Sequence, residues 1–231
     1  MKYKAVLFDF DDTLGDREKY AYAFLKELID RNAPHLDSWE RECALQHAML
    51  WDENSTGDKA LLQKNLKEKY GIESDIDLKR YMGYELGKKA VLVNNAVTVL
   101  KELKKKYKLG LVTNGESAGQ HMKIKQTKIA QYFDSVIVSG DVGYNKPDPR
   151  LFENAADKLG ASCKECIFVG DLFQTDIIGA HRAGMKPIWL WSHGYRSCSV
   201  QVERISSIEE LPTLINRLEE SFLNGIQRVK W

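Results

Sequence analysis

The fold is decided at residues 6–14, which read Val6-Leu7-Phe8-Asp9-Phe10-Asp11-Asp12-Thr13-Leu14. The apolar run from Ala5 to Phe8 is typical of a strand buried on both faces, as in the centre of a parallel sheet. The run ends in carboxylates, and ligands of open parallel sheets bind beyond the carboxyl ends of the strands. In extended backbone, Asp9 and Asp11 project to the same side. Carboxylates this close repel each other unless they share a proton or a cation, and Mg²⁺ suits such a site.

The acidic triplet also has a simpler reading, an Asp-rich N-cap at a strand-to-helix turn, so the rest of the chain has to decide. The length of 231 residues and the hydrophobic fraction of 43% fit one large domain, or a core domain with a smaller partner. A net charge of +1 gives no electrostatic argument for nucleic acid or a membrane as partner. No signal peptide or membrane-spanning run is evident, which predicts a cytoplasmic protein.

The cysteines agree with a cytoplasmic location, because four in so long a chain do not make a disulfide scaffold. Cys163 and Cys166 form a CxxC pair, which would suit a redox pair or half of a zinc site. No second pair exists, and Cys166 opens an apolar run in which cysteine behaves as a small hydrophobe. We therefore interpret the spacing as coincidence.

The pattern of predicted secondary structure changes twice along the chain. Residues 38–87 contain helical patterns and no convincing strand, whereas strands at 109–112, 135–138, 166–169 and 187–191 alternate with helices. This alternation predicts an α/β fold with a doubly wound parallel sheet and right-handed crossovers. Residues 1–15 and 90–231 are expected to form the core, and residues 16–89 a small helical domain inserted after the first βα turn.

Polar residues follow several of the predicted strands. Besides the first acids they are Thr113-Asn114-Gly115, Lys146, Asp171 and Asp176. Each alone has a bland explanation: a turn, an exposed loop lysine or a helix cap. Together they do not, because independent turns have no reason to supply acids, a hydroxyl and an ammonium along one edge of a sheet.

In their order, the segments DFDDTL, VTNG, NKPDP and GDLFQTD resemble the haloacid dehalogenase superfamily, in its branch with a helical cap after the first motif. The resemblance covers essentially the whole chain, and in layout it leans towards the nucleotidases and phosphatases of that branch. It implies a Rossmann-like core, a mobile cap, Mg²⁺ as cofactor and a phosphoaspartyl intermediate.

Within this resemblance Asp9 would attack phosphorus, and Asp11 would protonate the leaving oxygen and then activate water. The phosphoryl oxygens would be held by Thr113, by the Asn114 amide with Gly115, and by Lys146, which balances charge. Mg²⁺ would join Asp9, the main-chain carbonyl of Asp11 and Asp171 to the phosphoryl group. Asp176 completes the predicted metal site from the outside, by orienting metal-bound water or Lys146.

The leading interpretation is a Mg²⁺-dependent phosphomonoester hydrolase for a small phosphorylated metabolite, either a nucleotide or a sugar phosphate, acting as a monomer or homodimer. The alternatives are a phosphomutase of the same family, a 2-haloacid dehalogenase and a non-catalytic scaffold. Asp11 and the second metal carboxylate argue against a dehalogenase, and the complete set of acids argues against a scaffold. Arg17 stands where many relatives carry a small hydroxyl residue, so substrate identity does not transfer from the resemblance.

Overall fold

The computed structural model of the chain describes residues 1–53, 57–73, 78–191 and 197–228. Its strands are β1 (Ala5–Phe8), β2 (Lys108–Thr113), β3 (Ser135–Val138), β4 (Cys166–Gly170), β5 (Lys186–Leu190) and β6 (Glu203–Ile205). The α-helices within the same residues are α1 (Arg17–Asn32), α2 (Ser38–Asp52), α3 (Lys59–Tyr70), α4 (Leu78–Gly87), α5 (Ala96–Leu103), α6 (Ser117–Gln126), α7 (Ser139–Val142), α8 (Pro149–Lys158), α9 (Ile178–Arg182) and α10 (Leu211–Arg228).

The six strands form one parallel sheet in the order β3-β2-β1-β4-β5-β6. The predicted doubly wound α/β fold is therefore confirmed. The first strand lies between β2 and β4, and its residues from Ala5 to Phe8 are fully buried. The strand order reverses at β1, so the loop after Phe8 opens at the point where such sheets bind ligands.

The last strand was not predicted. Glu203-Arg204-Ile205 pairs with β5 at the edge of the sheet, with Leu190 opposite Ile205. Two of its three residues are charged, so it lacks the apolar run that identified the other strands. Its position is set by tertiary pairing, which local pattern does not encode.

Contacts between residues divide the chain into two compact units. The first comprises residues 1–15, 92–117 and 128–231, and contains the sheet; the second comprises residues 16–91 and 118–127, and is helical. Residues 118–127 join the helical unit because Gly119 packs against the main chain of Gly83, with no room for a side chain, and the Lys123 ammonium lies 5.7 Å from the ring centroid of Tyr20. The division into a core and a cap with boundaries at 15 and 90 remains a prediction.

Helix boundaries follow from identifiable caps. Asp58 accepts hydrogen bonds from the first amides of α3, and Gly71 ends this helix in the left-handed conformation, as predicted. Asp148 caps α8, which has Pro149 in its first turn. Two predicted features lie partly outside the described residues: the turn at 54–57 and the start of the helix at 76–89. Among the described helices, none is both long enough and apolar enough to cross a membrane.

Candidate active site

The loop after β1 is compact. The carbonyl of Phe10 accepts the amides of Thr13, Leu14 and Gly15, and Asp12 adopts a left-handed backbone with φ of 55°. A side chain at Gly15 would begin 2.6 Å from the ring of Phe10, so this position requires glycine. The sequence DFDDTLG thus folds into a tight turn that starts directly beyond the buried strand.

Asp9 extends β1 by one residue, because its amide donates to the carbonyl of Val169 on β4 at 2.9 Å. Its carboxylate is buried and accepts a hydrogen bond from Lys146, with 2.6 Å between Nζ and Oδ1. The same ammonium lies 2.8 Å from Oδ1 of Asp176, which is completely buried. Lys146 therefore bridges two carboxylates that lie far apart in the sequence.

The loop that carries Lys146 is fastened by Asn114. The Asn114 amide nitrogen donates to the Lys146 carbonyl at 3.0 Å, and the Lys146 amide donates to the Asn114 side-chain oxygen at 2.8 Å. This reciprocal pair joins the end of β2 to the loop before α8. The side chain of Asn114 thus has a positioning role that the sequence did not reveal, in addition to the role predicted for its main-chain amide.

Asp176 also supports the end of β4. Its second carboxylate oxygen accepts the Leu172 amide at 3.0 Å. A side chain at Gly170 would begin 2.4 Å from the same carboxylate, so only glycine allows this approach. A short π-helical turn, Phe173–Ile177, carries Asp176 back against the strand end.

Asp171 completes the acids. One oxygen each of Asp9, Asp171 and Asp176 all lie within 4.8 Å of one another. Together with Lys146 we call these residues the strand-end cluster. Asp171 is half-buried, and it accepts a hydrogen bond from the Thr13 hydroxyl at 3.3 Å. Among the described residues, this is the group of acids and potential metal ligands that the structure brings together.

The carboxylate of Asp11 is not part of that group, although Asp11 is near enough to raise the pKa of Asp9. From the sequence, the main-chain carbonyl of Asp11 is predicted to contact the metal, which leaves its side chain for proton transfer. Both assignments remain predictions.

Two further predicted residues lie at the end of β2. Thr113 is 1% exposed, and its hydroxyl has no hydrogen-bond partner within the described part of the chain. Such a buried hydroxyl carries a cost unless a ligand satisfies it. The Gly115 amide donates to the hydroxyl of Ser139 at 2.9 Å, so this amide already has a partner within the protein. Ser139 was missed by sequence reasoning, since an isolated serine at a strand end gives no signal.

The cluster holds three carboxylates and one ammonium, so negative charge dominates. Burial raises the pKa of Asp9 to about 7, with Asp176 adding to the shift and Lys146 opposing it. Burial, and then the charges of Asp9 and Asp176, raise the pKa of Asp171 well above its usual range. Burial would lower the pKa of Lys146, but the two acids it bridges outweigh this and raise it.

These residues fit a hard divalent cation. Their donors are carboxylate oxygens at mutual distances that one ion can span, and no histidine or cysteine belongs to the group. A bound cation would also offset the mutual repulsion of the acids, which adds to the effect of burial in raising their pKa values. The chemistry of the donor set therefore supports the predicted Mg²⁺, with Asp9 and Asp171 as ligands. The ammonium of Lys146 already occupies one oxygen of Asp176.

Comparison with known proteins gives a consistent result. The sequence model of the family described as haloacid dehalogenase-like hydrolase matches residues 6–190. Glyceraldehyde 3-phosphate phosphatase from Methanothermobacter thermautotrophicus is 34% identical over 80% of this chain and 84% of its own length. N-acylneuraminate-9-phosphatase from Rattus norvegicus is 34% identical over 94% of this chain and 96% of its own.

A solved structure extends the likeness to the fold. The HAD-hydrolase YfnB from Bacillus subtilis, bound to magnesium, superposes with a TM-score of 0.74 at 24% identity, covering 94% of this chain and all of its own.

Proposed function

Because the chain belongs to the haloacid dehalogenase-like hydrolases, and to their phosphatase branch, we propose that it is a Mg²⁺-dependent phosphomonoesterase that works through an aspartyl phosphate. The observation that carries the proposal is the strand-end cluster. A buried lysine joins Asp9 to Asp176, and Asp171 lies within reach of both acids. Burying charged groups costs stability even when they are paired, so a buried cluster of acids with shifted pKa values indicates a functional site.

Asp9 is the nucleophile in this proposal. Its Oδ1 accepts a hydrogen bond from Lys146, which fixes the carboxylate just beyond the end of β1, where the strand order reverses. Attack on phosphorus forms the aspartyl phosphate and expels the alcohol of the substrate. Asp11 gives a proton to that departing oxygen, and then takes one from the water that hydrolyses the intermediate.

The phosphoryl oxygens need donors and positive charge. The unpartnered hydroxyl of Thr113 and the ammonium of Lys146 supply them, together with the predicted main-chain amide of Asn114, because the Gly115 amide already donates to Ser139. When bound by Asp9, Asp171 and the main-chain carbonyl of Asp11, Mg²⁺ would neutralise negative charge as the two anions approach each other. Asp176 acts from outside, by holding Lys146 and the Leu172 amide.

Substrate choice is assigned to residues 16–89, the proposed cap domain, because the roles proposed for the strand-end cluster concern the phosphoryl group and the metal and leave the rest of the substrate to other residues. The relatives named above are phosphatases of glyceraldehyde 3-phosphate and of a phosphorylated N-acylneuraminate. A small phosphorylated metabolite of the sugar type is therefore the substrate class that we favour, with nucleotides next.

The balanced net charge of +1 and four free thiols agree with a cytoplasmic enzyme that binds neither nucleic acid nor membranes, as monomer or homodimer.

The decisive test is a screen of the purified protein with Mg²⁺ against sugar phosphates, nucleotides and small phosphorylated acids, with release of inorganic phosphate as the readout. Asp9→Asn is the matched control, because it keeps the shape of the side chain and removes the nucleophile. Isomerised sugar phosphate with little free phosphate would indicate a phosphomutase. Halide release would indicate a dehalogenase, and no turnover of any substrate would contradict an enzymatic role.

A further inference from the structure

Trp189 contacts the loop that carries Asp171, although nothing in its sequence context marks it as functional. It lies on β5 in register with Gly170 of β4, and it is 5% exposed. Its indole nitrogen donates to the main-chain carbonyl of Asp171 at 2.7 Å. The bond thus reaches across from the neighbouring strand and fixes the peptide plane next to the Asp171 side chain.

The indole ring also packs against a second residue of the same loop. It packs edge-on against Phe173, with ring centroids 5.2 Å apart and planes at 69°. Phe173 opens the π-helical turn that carries Asp176. On β6, the guanidinium of Arg204 lies 5.6 Å from the Trp189 ring centroid and 5.1 Å from that of Trp191. Contacts with Phe173 and Arg204 therefore position the indole ring, and its N–H in turn positions the loop that carries Asp171.

We propose that Trp189 is a positioning residue for the metal site, which orients Asp171 through the hydrogen bond to its main-chain carbonyl. The inference rests on the proposed function, since Asp171 is a metal ligand only in that reading. Mg²⁺ demands near-ideal octahedral geometry, so small rotations of a ligand carboxylate weaken its binding. Groups that orient metal ligands from outside contribute strongly to metal affinity for this reason.

Two donors contact Asp171, one at its carboxylate and one at its main-chain carbonyl. Thr13 contacts one carboxylate oxygen at 3.3 Å, a long bond that allows adjustment when a cation arrives. The bond from Trp189 is short and buried, and it involves the carbonyl rather than the carboxylate. It can therefore persist while both carboxylate oxygens serve a metal.

The test compares Trp189→Phe with Trp191→Phe. The first variant removes the indole N–H that bonds the Asp171 carbonyl and keeps an aromatic ring against Phe173. The second makes the same chemical change two residues further along the chain and leaves the Trp189 N–H in place. Mg²⁺ binding is measured by calorimetry in the absence of substrate, alongside phosphate release over a range of Mg²⁺ concentrations. We expect Trp189→Phe to raise the dissociation constant for Mg²⁺ about tenfold, the lower end of outer-contact effects on metal affinity.

At saturating Mg²⁺, kcat for Trp189→Phe should return towards that of the unaltered protein, with KM for the substrate unchanged. If Trp189→Phe does not fold, a benzothienyl isostere of tryptophan at the same position removes the donor and preserves the shape. Mg²⁺ affinity equal to that of Trp191→Phe, with only a lower Tm, would overturn the inference by showing a purely structural role. Normal Mg²⁺ binding without phosphate release would instead contradict the proposed reaction and leave the Trp189 comparison standing.

Discussion

Replacing Arg17 with methionine should destabilise the helical unit by about 3 kcal/mol. Arg17 begins α1, and its guanidinium lies 2.5 Å from a carboxylate oxygen of Asp52, the last residue of α2. The side chains are 3% and 1% exposed, so the ion pair is buried. Lys59 lies 2.6 Å from the other oxygen of Asp52. An acid at the C-terminus of a helix faces the negative end of the dipole, so Asp52 needs both cations.

The magnitude follows from this burial. Removing one partner of a buried pair typically costs about 3–5 kcal/mol, because a desolvated charge is left behind. Lys59 still faces Asp52 after the change, which selects the lower end of that range. Exchanging Asp52 for leucine as well removes the stranded carboxylate, and the Lys59 ammonium keeps the main-chain carbonyls of residue 52 and Gly57 as acceptors. The double variant Arg17→Met, Asp52→Leu should therefore regain most of the loss. The two changes are therefore strongly non-additive.

The effect should depend on pH. Burial alone would raise the pKa of Asp52, but Arg17 and Lys59 outweigh it and hold that pKa below its usual range. A lowered pKa in the folded state contributes stability above the unfolded pKa of about 3.9, and this contribution disappears as the pH falls through the folded value. The difference between the protein and Arg17→Met should accordingly be largest near neutral pH and shrink in acid.

The assay is urea unfolding with hydrogen exchange of the α1 and α2 amides, at neutral and acidic pH. Lys26→Met is the matched control: it removes the same type of charge from the same helix, but its pair with Asp30 is exposed. Exposed pairs contribute at most about 1 kcal/mol, so this control should change little. Equal effects of the two substitutions, or a loss for Arg17→Met that does not vary with pH, would refute the reasoning.

Three further predictions concern the candidate site. Asp9→Asn should abolish hydrolysis of every phosphate ester. Asp11→Ala should release about one equivalent of phenol per site from an aryl phosphate and then turn over very slowly, and it should slow the hydrolysis of alkyl phosphates about a hundredfold or more. A linear time course at unreduced rate for Asp11→Ala would remove Asp11 from the mechanism. Asp171→Asn should retain the fold by circular dichroism but lose Mg²⁺-dependent activity, and full activity of the unaltered protein in excess chelator would contradict the metal site. Thr113→Val removes a buried unpartnered hydroxyl, so it should stabilise the protein slightly in thermal unfolding while lowering kcat/KM about tenfold, and an unchanged kcat/KM would show that this hydroxyl does not contact the substrate.

Much of the site was already predictable from the sequence. A four-residue apolar run that ends in acids identifies the central strand, because burial on both faces leaves no polar position between Ala5 and Phe8. The other parallel strands place their carboxyl ends at the same edge, so Thr113, Lys146 and Asp171 were expected near Asp9. The family was confirmed by a match over residues 6–190, a range that contains these residues.

Only the tertiary structure decided how these residues meet. The resemblance gave Lys146 as one of two groups that Asp176 could orient. The sequence does not show that Lys146 is buried between Asp9 and Asp176, or that Asn114 holds it there by a reciprocal amide pair. From the sequence, Trp189 is simply part of a predicted apolar strand, yet the register of β5 on β4 brings its N–H to the main-chain carbonyl of Asp171.

The physical reason for this division is the range of the interactions. Periodicity, caps and turns are local, and they are written in neighbouring residues. Ion pairs and hydrogen bonds between strand ends depend on strand register and on burial, which are set by the packing of the whole chain. The sequence by itself determined which chemical groups this edge of the sheet receives; the fold determined which of them contact one another.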